Sequence, residues 1–248
     1  MISGKKLILI GLAVVLGIFT LVSGKSIAAD LPTIEKWVPN LHWLGHDSFR
    51  LDLRGGLVVY LDPFKLPEGG PKADLIFITH DHSDHCSPAD VAKIQKPETL
   101  IVTVSQAAAK LSGQIQTIKP GETLTVKGVA VKAIHAYNIN KFRSPGVPFH
   151  PKESGYVGFI LSFDGKSLYL AGDTDFIPEM KGLEPDIALI PVSGTYVMTA
   201  DEAVEASSAI NARLTIPMHV GGPIGSLPMA EEFKSKAKVP VKVLPIEK

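Results

Sequence analysis

Short apolar runs, each closed abruptly by a polar side chain or a turn residue, set the grain of this chain. Leu57-Val58-Val59-Tyr60-Leu61 runs into Asp62, Ala73-Asp74-Leu75-Ile76-Phe77 leads to His80, and Val129-Ala130-Val131-Lys132-Ala133-Ile134 ends in His135. Ser167-Leu168-Tyr169-Leu170-Ala171 meets Gly172-Asp173, and Leu214-Thr215-Ile216-Pro217-Met218 meets His219. Runs of this length, bounded by turn residues, predict strands. Lys127-Gly128 and Asp164-Gly165 read as hairpin turns, and Pro120-Gly121 punctuates the same region. Two helices announce their starts. Ser87 is an N-cap followed by Pro88 in the first turn, opening a helix to about Lys96. Thr199-Ala200-Asp201-Glu202 has the spacing of a capping box, opening a helix to about Asn211. Strands followed by helices in each half suggest an α/β protein built as a four-layer αββα sandwich, with the strand ends sharing one edge.

The amino terminus departs from this pattern. Lys5 and Lys6 precede an unbroken apolar stretch, Leu7 to Val22, and then the small residues of Ser23 to Ala29. This reads as an export signal over residues 1–29, leaving residues 30–248 as one globular domain in the periplasm or outside the cell. The alternative is an uncleaved membrane anchor over residues 7–22, close to the length of about 17 to 25 residues that spans a bilayer.

Charge narrows the range of partners. The chain holds 25 basic and 25 acidic residues, and removing Lys5, Lys6 and Lys25 leaves a domain with net charge −3. No basic surplus exists to neutralise a phosphate backbone, which argues against a nucleic-acid partner and for a small molecule. Oligomeric state leaves no mark on the sequence. Cys86 is the lone cysteine, so an internal disulfide is ruled out, and a small buried position at the start of the following helix suits it.

The candidate chemistry is concentrated in Thr79-His80-Asp81-His82-Ser83-Asp84-His85. Crowded imidazoles repel once partly protonated, so such a cluster implies a cation that holds them. If the segment is extended, His80, His82 and Asp84 share one side and His85 faces another. His135, Asp173 and His219 end other strands on the same predicted edge and complete the set.

With these residues in order, the chain resembles the metallo-β-lactamase superfamily, whose pattern is His-x-His-x-Asp-His, a later His, an Asp in a Gly-Asp-Thr setting and a final His. Trp43-Leu44-Gly45-His46-Asp47-Ser48-Phe49, Ala171-Gly172-Asp173-Thr174-Asp175-Phe176, Gly194-Thr195-Tyr196 and Ile216-Pro217-Met218-His219 look like the branch that contains ascorbate-6-phosphate lactonase. The resemblance spans about residues 38 to 246. It implies two divalent ions, zinc foremost with manganese or iron tolerated, the first on His80, His82 and His135 and the second on Asp84, His85 and His219. Asp173 would bridge them. Histidine at position 82, where the di-iron redox members resemble this pattern with a glutamate, favours hydrolysis.

The expected activity is an exported dinuclear hydrolase that uses a metal-bridging hydroxide against a lactone, phosphodiester or similar ester. Asp84 would orient the nucleophile, and His46 and Tyr196 would donate to a developing oxyanion. The excess positive charge of the centre favours anionic substrates. A β-lactam or other amide hydrolase on the same site, and a non-enzymatic metal-binding envelope protein, are the competing readings. Asp62 is either a support for the ligand loop or an Asp-Pro turn. The loop from Ala136 to Gly155 carries a second histidine, His150, which competes with His135 for the first metal, meets substrate, or lies on the loop surface. Ending a strand favours His135. Lys141, Arg143 and Lys152 in the same loop are candidate contacts for an anionic group, or solvated charges.

Overall fold

The computed structural model describes residues 27–247. The apolar stretch from Leu7 to Val22, and with it the expected anchor and all of the expected export signal but its last three residues, lies outside the described residues; residues 27–29 belong to the first helix. Among those described, no helix is long and apolar enough to cross a membrane. The first helix, α1 (Ile27–Trp37), buries Ile34 and sets the Trp37 ring against Phe163 at 5.3 Å.

Two six-stranded sheets follow in sequence order. The first comprises β1 (Leu41–Gly45), β2 (Ser48–Leu53), β3 (Leu57–Leu61), β4 (Leu75–Ile78), β5 (Leu100–Thr103) and β6 (Gln114–Thr117), lying side by side in that order. Its opening strands are antiparallel, and β3 to β6 run parallel. The second sheet is built from β7 (Thr123–Val126), β8 (Val129–His135), β11 (Val157–Phe163), β12 (Lys166–Leu170), β13 (Ile187–Pro191) and β14 (Leu214–Met218). Its spatial order is β14-β13-β12-β11-β8-β7, with β12, β13 and β14 parallel. A small hairpin, β9 (Phe142–Ser144) with β10 (Val147–Pro148), stands apart from both.

The parallel strands are buried throughout. β4, β13 and β14 show no exposed position, as expected for strands covered on both faces. Phe77 of β4 meets Phe159 of β11 edge-on at 5.3 Å, which marks the contact between the two sheets. Outside them lie α2 (Pro88–Ile94), the short α3 (Ser105–Ala108), α4 (Ala200–Ile210) and α5 (Leu227–Lys236), giving the four-layer αββα sandwich. The helix starts follow the sequence signals. Ser87 Oγ accepts from the Asp90 N–H, and Thr199 and Glu202 complete the capping box, with Asn211 closing α4 in the left-handed region. Both hairpin turns have two residues at positive φ, Lys127-Gly128 and Asp164-Gly165, matching the twist of their strands.

The two sheets are joined at one end through His46. Its N–H donates to the Val220 carbonyl at 3.0 Å, and its own carbonyl accepts from the His219 N–H at 3.3 Å. That seam falls beside the carboxyl ends of β4, β12 and β14, where the candidate ligands cluster.

Candidate metal centre

Asp62 organises the centre from beneath. It follows β3 at positive φ, is fully buried, and accepts from the Thr79 N–H, the Thr79 hydroxyl and His85 Nδ1, at 2.8, 2.8 and 2.9 Å. Because the Thr79 hydroxyl donates to Asp62, its oxygen accepts from His80 Nδ1 at 3.0 Å. One carboxylate thus fixes the tautomers of two histidines, leaving Nε2 of each as a lone pair. Burial raises the Asp62 carboxyl above its ordinary range, and the neighbouring His85 works against that shift.

The first cluster is His80, His82, His150 and Asp173. His80 Nε2 lies 3.1 Å from His82 Nδ1, and His150 Nε2 lies 3.2 Å from the same atom. Asn138 donates through Nδ2 to the Tyr196 carbonyl, so its Oδ1 faces His150 as an acceptor and takes the Nδ1 proton at 2.8 Å. His80 and His150 therefore both direct lone pairs at His82, whose single Nδ1 proton can satisfy only one of them. Burial, then the surrounding histidines, hold His80 well below the usual imidazole range, and His82 is lowered the same way. A divalent cation is the partner that such a set of nitrogens fits.

The second cluster draws on His46, Asp84, His85 and His219, with Asp47 and Asp173 beside it. Ser193 Oγ stands 2.7 Å from His219 Nδ1, and the Nε2 atoms of His219 and His85 are buried without a hydrogen-bond partner. Asp173 lies between the clusters. Its Oδ1 is 3.2 Å from His85 Nε2, while Oδ2 is 3.4 Å from His219 Nε2 and 3.3 Å from His150 Nε2. Burial acts to raise the Asp173 carboxyl, yet His219 and His85 hold it well below the usual carboxylate range. The same contacts raise His85 and His219 against their own burial. Gly172 makes this placement feasible: it sits at φ +68, and a Cβ there would come within 3.0 Å of the Val157 carbonyl and 3.1 Å of Thr79 Cβ.

The structure brings together His80, His82, Asp84, His85, Asp173 and His219, and it separates His135 from them. His135 is half-exposed at the end of β8, with its ring edge-on to Tyr137 at 6.1 Å, and belongs to none of the clusters found among the described residues. His150 takes that place. The chain turns back through β9 and β10, and the Asn138 N–H donates to the His150 carbonyl at 2.8 Å, which returns His150 to the end of β8. Asp84 joins His85 and His219, as the family resemblance implies, and not His80 and His82, as alternation along an extended segment would have it. The segment is not extended: the Cys86 and His85 N–H groups fold back onto the His82 carbonyl, and this turn swings Asp84 away from His80 and His82 to the second cluster.

His46 and Tyr196 also part company. His46 is buried and stands 3.1 Å from Asp84 Oδ2, so it positions that carboxylate from within. Burial pushes the Asp84 carboxyl up, but His46 and His85 outweigh it and bring it down to about 2. Tyr196 lies in the wall of a cavity of about 630 Å³ over the clusters, its ring 4.5 Å from that of Phe149. Arg143 extends over Phe149 in the same wall, whereas Lys141 pairs with Glu202 and Lys152 with Glu179. His46, Asp62, Tyr196 and His219 all adopt positive φ, a concentration of backbone strain that no side-chain pattern reveals. Asp47, fully buried beside the second cluster, also escaped sequence reasoning, although its place next to His46 was the available signal.

Comparison with known proteins agrees with this geometry. A profile of the β-lactamase superfamily domain matches residues 40–219. A UPF0173 metal-dependent hydrolase from Thermoplasma acidophilum is 35% identical over 194 residues, covering 71% of this chain and 81% of its own. Another from Methanoculleus marisnigri is 32% identical over 200 residues, covering 78% and 86%. Among solved structures, a putative metal-dependent hydrolase from Parabacteroides distasonis superposes with TM-score 0.70 at 30% identity, over 84% of this chain and 93% of that one. With strands, donor clusters and relatives in agreement, the chain belongs to the metallo-β-lactamase superfamily and groups with its UPF0173 metal-dependent hydrolases.

Proposed function

We propose that this chain is a dinuclear hydrolase of ester-type bonds, lactones or phosphodiesters, acting on small and often anionic molecules outside the cytoplasm. The observation that carries the reading is the convergence of His80, His82 and His150 nitrogens on one point and of His85 and His219 on another, with Asp173 between them. In this reading His80, His82 and His150 hold the first ion, Asp84, His85 and His219 the second, and Asp173 both. Nitrogen-rich donors suit zinc, with manganese or iron as alternatives. Bound there, two divalent ions supply Lewis acidity and lower the pKa of water toward neutrality.

The chain's own residues do the rest. Asp84, kept ionised by His46, borders the cavity and is placed to accept a proton from the attacking water. Phe64, Phe149 and Ile224 give the cavity an apolar wall, and Tyr196 and Arg143 offer donors to a polar or anionic group of the substrate. Export rests on the basic and apolar character of residues 5 to 22. The test is hydrolysis of p-nitrophenyl phosphodiesters and of a lactone panel by protein loaded with zinc or manganese. Turnover that disappears with chelator and with Asp173→Asn is expected. A fully loaded protein inert toward both substrate classes would overturn the ester-type assignment.

A further inference from the structure

Asp47 and Asp62 are both fully buried, and they are satisfied in opposite ways. Asp62 accepts three hydrogen bonds, the behaviour of a structural carboxylate. Neither oxygen of Asp47 has a hydrogen-bond partner. Its Oδ2 instead faces three ring nitrogens, Nε2 of His46 at 3.4 Å, of His85 at 3.5 Å and of His219 at 3.9 Å. Two of those nitrogens, on His85 and His219, are themselves unpartnered. A buried carboxylate without donors is costly unless a cation meets it.

The backbone holds Asp47 in this position. Gly45 and Ser48 are paired across β1 and β2, so His46 and Asp47 form the turn between them, and the left-handed backbone of Gly45 and His46 tightens it. The bridge between His46 and Val220 seats that turn on the segment after β14, beside His219. Asp84 approaches the same histidines from the cavity side, with 18% of its side chain exposed, whereas Asp47 comes from the closed side with none.

We propose that Asp47 is a ligand of the second cation, an inner carboxylate opposite Asp84 in addition to His85, His219 and Asp173. This rests on the dinuclear reading above and deepens it. It makes the second position rich in oxygen donors while the first is rich in nitrogen, so the two differ in hardness. It also places three carboxylates, Asp47, Asp84 and Asp173, around the pair of ions, removing one unit of the positive charge that would otherwise face the substrate. Anion selectivity then falls more heavily on Arg143 in the cavity wall.

The experiment measures zinc and manganese uptake by the full chain, using equilibrium dialysis with elemental analysis, for wild type, Asp47→Asn and Asp47→Ala. One bound equivalent is expected to weaken about 100-fold or more in both variants, beyond the loss typical of an outer partner, while the other is unchanged. Chelator-treated Asp47→Asn is expected to melt at the same or a higher temperature than chelator-treated wild type, because an unpaired buried charge has been removed. Unchanged affinity for every bound ion in both variants overturns the assignment. So does a variant whose uptake falls only with a lower melting temperature before any ion is added, which marks a structural carboxylate. A wild-type chain that takes up no cation overturns the dinuclear reading itself.

Discussion

Asn138 Oδ1 grips His150 twice, accepting its backbone N–H at 2.9 Å and its Nδ1 proton at 2.8 Å. The ring is thereby fixed with Nε2 toward His82 and Asp173, whereas His135, which ends β8, has its ring only edge-on to Tyr137. His150→Ala is expected to lose about one of two bound ions, and His135→Ala to retain both, as read by elemental analysis of protein purified without chelator. Asn138→Ala should weaken uptake about 10- to 100-fold without abolishing it.

Asp62 serves both clusters at once, through Thr79 to His80 and directly to His85. Asp62→Asn should therefore weaken both bound ions together, by about 10- to 100-fold each, in contrast to the single-ion loss of His150→Ala. Asp62→Ala leaves several buried donors unpaired and is expected to cost about 3 kcal/mol or more of stability in chemical denaturation.

Glu202 ties α4 to the root of the β9–β10 loop. Burial acts to raise its carboxyl, but Lys141, the Thr199 N–H and Asn140 outweigh it and lower it from 4.5 to about 2. A carboxyl lowered on folding contributes stability that is present above its unfolded value and is lost as pH falls through its folded value. Glu202→Gln should flatten the loss of stability between pH 4.5 and about 2. The pair is only part-buried and still screened by solvent, so the cost near neutral pH is about 1 kcal/mol. Melting temperature against pH reads the difference.

Gly172 makes a close backbone approach directly beside Asp173. Gly172→Ala adds a Cβ at positive φ against Val157 and Thr79, and is expected to cost about 1 to 3 kcal/mol and to weaken uptake of both ions. An alanine variant that keeps wild-type stability and uptake would show that Asp173 does not depend on this turn.

Much of this was legible in the order of the residues. The runs ending in Asp62, Asp173 and His219 became β3, β12 and β14, and their polar ends did gather at one edge. The two caps and both hairpin turns were local signals and appeared where expected. His150 was not resolvable from its neighbours, since its position depends on a hairpin closing and on Asn138 meeting it from twelve residues upstream. Alternation alone put Asp84 beside His80 and His82 because it presumes an extended backbone, and this segment turns; the family pattern, which grouped Asp84 with His85 and His219, agrees with the structure. Asp47 was hidden in a tight turn whose direction is set by the bridge to Val220, a contact between distant parts of the chain. The β6 strand Gln114–Thr117, exposed and polar, carries no apolar run to advertise it.

The reciprocal backbone bonds of His46, given to Val220 and received from His219, stitch the two halves of the sandwich at the very spot where the donors assemble. Parting the halves there would scatter the ligands, and scattering the ligands would loosen the stitch. Amide exchange at His46 and His219 should consequently slow in step with ion loading, making these two protons reporters of the centre's integrity.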